Sequence, residues 1–286
     1  MKNIILFTFT LFFTFSCSTK PESPIEETPA PRGSLFIIGG GSRPPEMVQD
    51  MIRLSGEDTA GHIAILPMAS SEPDTSFYYA AKQFRDQGIQ NIYDLRSGRE
   101  GLEAEQLELL ENAAMIYIPG GAQARFMDSV RNTNVFDAIH NAYRNGAMIA
   151  GTSAGAAVQS RLMITGDQKK HPVYTGYFET IEADNMILEE GLGLIESIIV
   201  DQHFIARQRL NRLIAVILEN PSKIGVGIDE STAIHVKNDT ATVHGISQVI
   251  VLRNPNEYVK VQDGLLGGEG MELSVYLPGE RFVAGE

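Results

Sequence analysis

The chain is short of three things: cysteine, positive charge and long apolar runs. Its single cysteine, Cys17, excludes an intrachain disulfide and leaves no cysteine cluster for a metal. A His-Glu-x-x-His helix is also missing, so no metal and no cofactor is expected. Lysine and arginine number 23 against 36 acidic residues, a formal charge of −13. Nucleic acid and anionic membrane surfaces both demand clustered cations, so neither is expected as a partner, whereas a cationic ligand fits. Among apolar runs, Ile4 to Phe15 is too short to span a bilayer comfortably. Preceded by Lys2, it has the length of a signal-peptide core.

The residues after that core bear on destination. Thr14-Phe15-Ser16-Cys17 resembles a bacterial lipobox, in which the cysteine is lipidated and becomes the first residue, although Thr14 stands where leucine is usual. Residues Ser18 to Arg32 are rich in Pro, Glu, Ser and Thr, a composition that cannot build a core and suits a tether. The expected organisation is a lipoprotein signal peptide over 1–17, a disordered tether over 18–33 and one domain over 34–286. The expected location is the cell envelope, with the membrane touched only through a lipid on Cys17. A plain secretory signal, giving a secreted or periplasmic protein, is the alternative.

From Ser34 onward, strand-like and helix-like segments alternate. Leu35 to Ile38 is a continuous apolar run ending in Gly39-Gly40-Gly41, as expected for a strand buried on both faces. His62 to Met68, Asn91 to Leu95, Ala114 to Ile118 and Ala147 to Ala150 repeat the pattern. Helices are expected at about Glu46–Leu54, Thr75–Gln87, Glu103–Asn112 and Val135–Asn145. That alternation implies an α/β fold with a doubly wound, mostly parallel sheet. Thr232–Val236, Thr242–His244 and Val249–Leu252 read as short antiparallel strands added at the C-terminal end.

The sharpest local signal is Gly151-Thr152-Ser153-Ala154-Gly155, directly after an apolar strand. A nucleophile elbow needs small residues around its serine, because the strand-to-helix turn is tight and strained. Active sites of open α/β sheets form outside the carboxyl ends of the parallel strands. Four polar clusters fall at such ends and are expected along the same edge of one sheet. They are Gly120-Gly121-Ala122-Gln123, the Ser153 turn, Asp201-Gln202-His203 and Asp229-Glu230.

A serine nucleophile needs a base and a carboxylate to orient it. Of six histidines, only His203 stands at a strand end among polar neighbours, which makes it the expected base. Glu230, Asp229 and Asp201 compete as the acid, and spacing does not separate them. With a late acid the order is serine, histidine, acid, unlike that of α/β-hydrolases. Arg207, Arg209 and Arg212 crowd the first turns of the helix expected after His203. Cations there oppose the macrodipole, so at least one of them is read as a clamp for a substrate carboxylate.

Taken together, these motifs resemble one family, the cyanophycinases, serine peptidases related to aspartyl dipeptidase (peptidase E). The matching stretches are Gly120–Gln123, Gly151–Ala156, Gly191-Leu192-Gly193-Leu194, Asp201–Phe204 with its three arginines, and Gly227-Ile228-Asp229-Glu230. The resemblance implies a class I glutamine amidotransferase-like, flavodoxin-like fold in which serine replaces the cysteine nucleophile. By position it implies Ser153 as nucleophile, His203 as base and Glu230 as its orienting acid. It further implies an oxyanion hole from the N–H groups of Gly121 and Ala154, and a substrate pocket of Gln123, Asp201, Gln202, Arg207, Arg209 and Arg212.

The implied substrate is cyanophycin, a polyaspartate with arginine amide-linked to each side chain, released as β-Asp-Arg dipeptides. A homodimer is compatible with the resemblance. The segment Gly166–Ile181 has no clear match in the family pattern, and loops beside a site set specificity. Two other functions stay open: an aspartyl or isoaspartyl dipeptidase, and a catalytically silent binding lipoprotein.

Overall fold

A computed structural model of the chain describes residues 31–56, 61–173 and 175–285. The expected signal peptide, Cys17 and nearly all of the tether lie outside the described residues. Among the described residues no helix is long and apolar enough to cross a membrane.

The main sheet has eight strands. Its parallel part runs β1 (Ser34–Ile38), β5 (Met148–Thr152), β4 (Met115–Ile118), β2 (Ile63–Ile65) and β3 (Ile92–Asp94). Beyond β1 the sheet continues antiparallel through β10 (Thr232–Lys237), β11 (Thr240–Gly245) and β16 (Arg281–Val283). The inner parallel strands β1, β5, β4 and β2 are buried along their whole length because both their faces are covered, whereas the edge strand β3 is partly exposed. Leu35, Ile37, Ile116, Ile118 and Ile149 point to one core, and Phe36, Ile38, Met115, Tyr117 and Met148 to the other. The second face packs on α1 (Pro45–Ser55) and α2 (Pro73–Arg85), through Met47, Met51, Ala81 and Phe84. The first packs on α3 (Ala104–Glu111), α4 (Gln123–Val130) and α5 (Asn134–Asn145), through Leu110, Phe126 and Ile139. This is the doubly wound α/β arrangement that the alternating pattern implies.

The expectation of a single sheet edge is corrected. The His203 and Glu230 strands do not belong to the main sheet. β8 (Ile198–Gln202) and β9 (Ile224–Ile228) pair in parallel and form a second, four-stranded sheet with β12 (Val249–Arg253) and β15 (Glu272–Tyr276), while β13 (Val259–Gln262) and β14 (Leu265–Gly268) pair as a separate hairpin. Its inner face, with Ile198, Val200, Val226 and Ile228, joins the first core. Its outer face is covered by α7 (Leu210–Glu219), through Leu213, Val216 and Ile217. The sequence Ile224-Gly225-Val226-Gly227-Ile228 shows how. A methyl group on Gly225 would lie 2.7 Å from Ile217, and one on Gly227 would lie 2.4 Å from the Phe204 ring. Glycine at alternate positions therefore lets the helix and the turn after β8 seat against the strand.

Two further differences concern boundaries. The helix after His203 begins only at Leu210, because residues up to Arg209 form a turn. The segment from Leu162 to Glu190 opens and closes as a hairpin of β6 (Leu162–Gln168) and β7 (Met186–Glu190), and the loop Gly166–Ile181 rises from it.

His235, opposite Phe36 across β10 and β1, lies against His244, which is bonded to Asp50 at 2.8 Å. Burial first, then the neighbouring His244, holds the His235 imidazole down at about 4, against 6.5 when free. On acidification the unfolded chain thus takes up this proton before the folded one. Stability present above pH 6.5 is lost as the pH falls toward 4. His235→Gln should move the acid-unfolding midpoint, followed by circular dichroism, to lower pH; an unmoved midpoint would show that this group does not drive acid loss.

Candidate active site

Ser153 sits at the junction of β5 and a single helical turn, α6 (Ala154–Ala157), with φ 55° and ψ −111°. A non-glycine residue held there is strained, and the surroundings impose it. Methyl groups on Gly151 or Gly155 would lie 2.1 Å from Gly155 O and 2.0 Å from Ile118 O, so glycine is required at both positions by close backbone approach. The result is a serine hydroxyl raised at the carboxyl end of the main sheet, as the elbow pattern predicts.

His203 caps β8 on the second sheet, also at positive φ (50°). Its Nε2 lies 3.0 Å from Ser153 Oγ, and its Nδ1 lies 2.6 Å from Glu230 Oε1. With the proton on Nδ1 donated to Glu230, Nε2 is free to accept the serine proton. His203 is 7% exposed, whereas the Glu230 side chain is 40% exposed. Burial lowers the His203 pKa below its ordinary value. The Glu230 hydrogen bond works against this, and the nearby Arg207 and Arg209 charges add to it. The ring is therefore neutral, and able to accept a proton, at neutral pH.

The choice among three acids resolves geometrically. Glu230 faces the imidazole. Asp229 points instead at the turn after His203, where its Oδ1 accepts from Ile205 N at 3.0 Å and Ala206 N at 2.9 Å, while Ser247 donates to Oδ2 at 2.8 Å. Asp201 is buried beneath the site.

The end of β1 ties these parts together. Ile38 O accepts from Ser153 N at 3.0 Å, Gly39 O from His203 N at 2.6 Å, and Gly40 O from Ser231 N at 2.8 Å. Three successive carbonyls thus hold the serine, the histidine and the residue after the acid. The glycines beside them are packed tight. A methyl on Gly39 would meet Ile228 O and Asp229 O at 2.2 Å, and one on Gly40, at φ 114°, would meet the His203 ring at 2.2 Å. Gly39–Gly41 are functional residues that the sequence pattern presents only as a strand ending. The triple glycine run is their signal.

The other expected site residues divide. The Gly120–Gly121 turn lies beside the serine, since a methyl on Gly120 would touch Ser153 Cβ at 3.4 Å. Ala154 follows Ser153 directly in the first turn of α6, where backbone N–H groups lack intrahelical partners. Gln123 is buried, and its Nε2 donates to Ile164 O at 2.9 Å and Thr165 O at 2.6 Å.

The three arginines do not converge into one clamp. Arg212, 2% exposed, grips Asp201, 1% exposed, with its Nε donating to Oδ2 at 2.6 Å and its Nη2 donating to Oδ1. Arg209, also buried, donates from Nη1 to Gln202 O at 2.6 Å and Gln202 Oε1 at 2.8 Å. Their guanidinium groups are engaged within the protein, as are the Asp201 carboxylate and Gln202 Oε1. Only Arg207 of the three is exposed, on the turn whose backbone N–H returns to His203 O at 2.9 Å. The apparent conflict with the helix dipole also dissolves. Arg207 and Arg209 precede the helix, and Arg212 is neutralised by a partner eleven positions back.

Peptidase family S51 matches residues 35–244. The chain belongs to that family. Among the relatives, a cyanophycinase from Nostoc sp. is 31% identical over 267 residues, covering 88% of this chain and 86% of the relative. A cyanophycinase from Synechococcus elongatus is 34% identical over 230 residues, covering 77% and 68%. A peptidase E from Haemophilus influenzae is 25% identical over 169 residues, covering 56% and 64%. The crystal structure of a peptidase from an acI-B1 Actinobacterium superposes with a TM-score of 0.59 at 23% identity, over 85% of this chain and 97% of that one, and so shares the fold. This S51 chain is a serine-type peptidase, as the resemblance implies.

Two substitutions test the S51 site. Gly40→Ala should displace the imidazole and lower kcat on the order of a hundredfold in a protein that still melts cooperatively; unchanged turnover would show that the glycine is not needed for ring placement. Arg207→Gln should move the acid limb of the kcat/KM profile to higher pH, because a cation that disfavours imidazolium is gone. A limb moving to lower pH would contradict the electrostatics.

Proposed function

We propose that this peptidase hydrolyses cyanophycin, or a closely related β-linked aspartyl polymer, to β-Asp-Arg dipeptides through an acyl-enzyme. The observation that carries the reading is the continuous hydrogen-bond chain from Ser153 Oγ through His203 to Glu230. The names of the Nostoc and Synechococcus relatives support the substrate.

In the first step Ser153 Oγ bonds to the scissile carbonyl carbon while His203 Nε2 takes the hydroxyl proton. Glu230 holds the Nδ1 proton and stabilises the imidazolium. The N–H groups of Gly121 and Ala154 receive the developing oxyanion. The carbon–nitrogen bond then breaks, and Nε2 gives its proton to the leaving amine. Water, deprotonated by the same nitrogen, attacks the ester and restores the serine. Arg207 is suited to the free arginine carboxylate of a repeat, since a guanidinium fork binds carboxylates in bidentate fashion. Export, with anchoring through a lipid on Cys17, completes the proposal and rests on the sequence pattern at residues 14–17.

A second reading is an aspartyl or isoaspartyl dipeptidase, favoured by the peptidase E relative. Mass spectrometry of products from cyanophycin separates the two. Wild type should release β-Asp-Arg, and Ser153→Ala should release it at least about a thousandfold more slowly. Release by both proteins would overturn the serine mechanism, and turnover of aspartyl dipeptides alone would favour the second reading.

A further inference from the structure

The loop Gly166–Ile181 is held in place by hydrogen bonds to the elements around it. Lys170 N donates to Asn185 Oδ1 at 3.0 Å, and Glu182 holds both His171 Nε2 and Thr180 Oγ1 at 2.7 Å. Asn211 donates to Phe178 O at 2.9 Å, and the Arg212 guanidinium lies 4.7 Å from the centre of the buried Phe178 ring. Through Arg212 the loop is fastened to Asp201, two residues before His203.

Two cavities use this loop. The nearer, of about 260 Å³, lies between Thr175–Tyr177 and Ala206–Gln208, with Arg207 in its wall. The farther, of about 380 Å³, is lined by residues including Lys170, His171, Tyr177, Glu179 and Thr180. Thr175 and Tyr177 belong to both, so the cavities adjoin across one aromatic wall. The charges are ordered along this path: a cation stands in the near cavity, and an acid, a lysine and an exposed tyrosine in the far one. A guanidinium is held well by a carboxylate together with an aromatic face.

We infer that the far cavity is a subsite for a second repeat of the polymer. It takes that repeat's guanidinium on Glu179 and Tyr177 and its carboxylate on Lys170, while Arg207 holds the carboxylate of the repeat being cleaved. This rests on the proposed substrate. It goes further by assigning chain-length preference to a loop outside the Ser153–His203–Glu230 set.

The test measures binding by calorimetry to the inactive Ser153→Ala protein, alone and with a loop substitution. The ligands are a trimer of the β-Asp-Arg repeat, the single β-Asp-Arg unit, and agmatine, a guanidinium without a carboxylate. Glu179→Gln and Tyr177→Leu should each cut the ratio of trimer to single-unit affinity by about fivefold or more, and Tyr177→Phe, which keeps the aromatic face, should restore it. An unchanged ratio would overturn the subsite. If Ser153→Ala bound neither trimer nor single unit, the cyanophycin reading would fail. Agmatine would then decide the guanidinium site separately: binding that Glu179→Gln abolishes supports it, and no Glu179-dependent binding overturns it.

Discussion

Everything at the site hangs from three peptide carbonyls. Those of Ile38, Gly39 and Gly40 reach in turn to the backbone of Ser153, His203 and Ser231, and so bring the ends of two different sheets to one point. A strand can do this only if its end carries no side chains to keep the other backbones away. That is why Leu35–Ile38, as apolar as any buried strand, is followed at once by three glycines. The positive φ values at Ser153 and His203 arise from the same convergence, since each chain must turn sharply to leave the junction.

A second layer of support lies under the histidine. The buried Asp201–Arg212 pair joins the end of β8 to the first turn of α7 and to Phe178 of the loop above. Loss of one partner from such a pair leaves an uncompensated charge in the interior, at a cost of about 3–5 kcal/mol. Asp229 does a related task nearby, closing the turn after His203 with its carboxylate. The polar residues around the reacting groups are thus mostly framework, and Arg207 is left to face solvent.

Much of this is legible in the sequence, for physical reasons. The serine turn shows itself because a strained strand-to-helix corner tolerates only small neighbours, and His203 shows itself because it ends a strand among polar groups. The inner strands β1, β4 and β5 show themselves as apolar runs, having two buried faces. The acid is not legible from spacing, since Asp229 and Glu230 are adjacent: the family resemblance names Glu230, and the direction of the backbone at the end of β9 brings it to the imidazole. The arginines stand out as unusual but read as a surface clamp, because the partner that buries Arg212 lies in another element. The division into two sheets is hidden for a similar reason. β8 and β9 are as fully buried as the inner strands of the main sheet, and pairing between distant segments leaves no mark on local periodicity.

The nucleophile and its base stand on separate sheets, joined at the tip of β1. The gap between Ser153 Oγ and His203 Nε2 is therefore a gauge of how one layer is seated on the other. A slip of even 1 Å between layers, too small to register as unfolding, is enough to cost about a hundredfold in rate. Turnover in such a molecule is more sensitive than its backbone structure to small shifts between the layers. An assay of activity therefore reads the docking of the layers, whereas spectroscopy of the backbone reads only their existence.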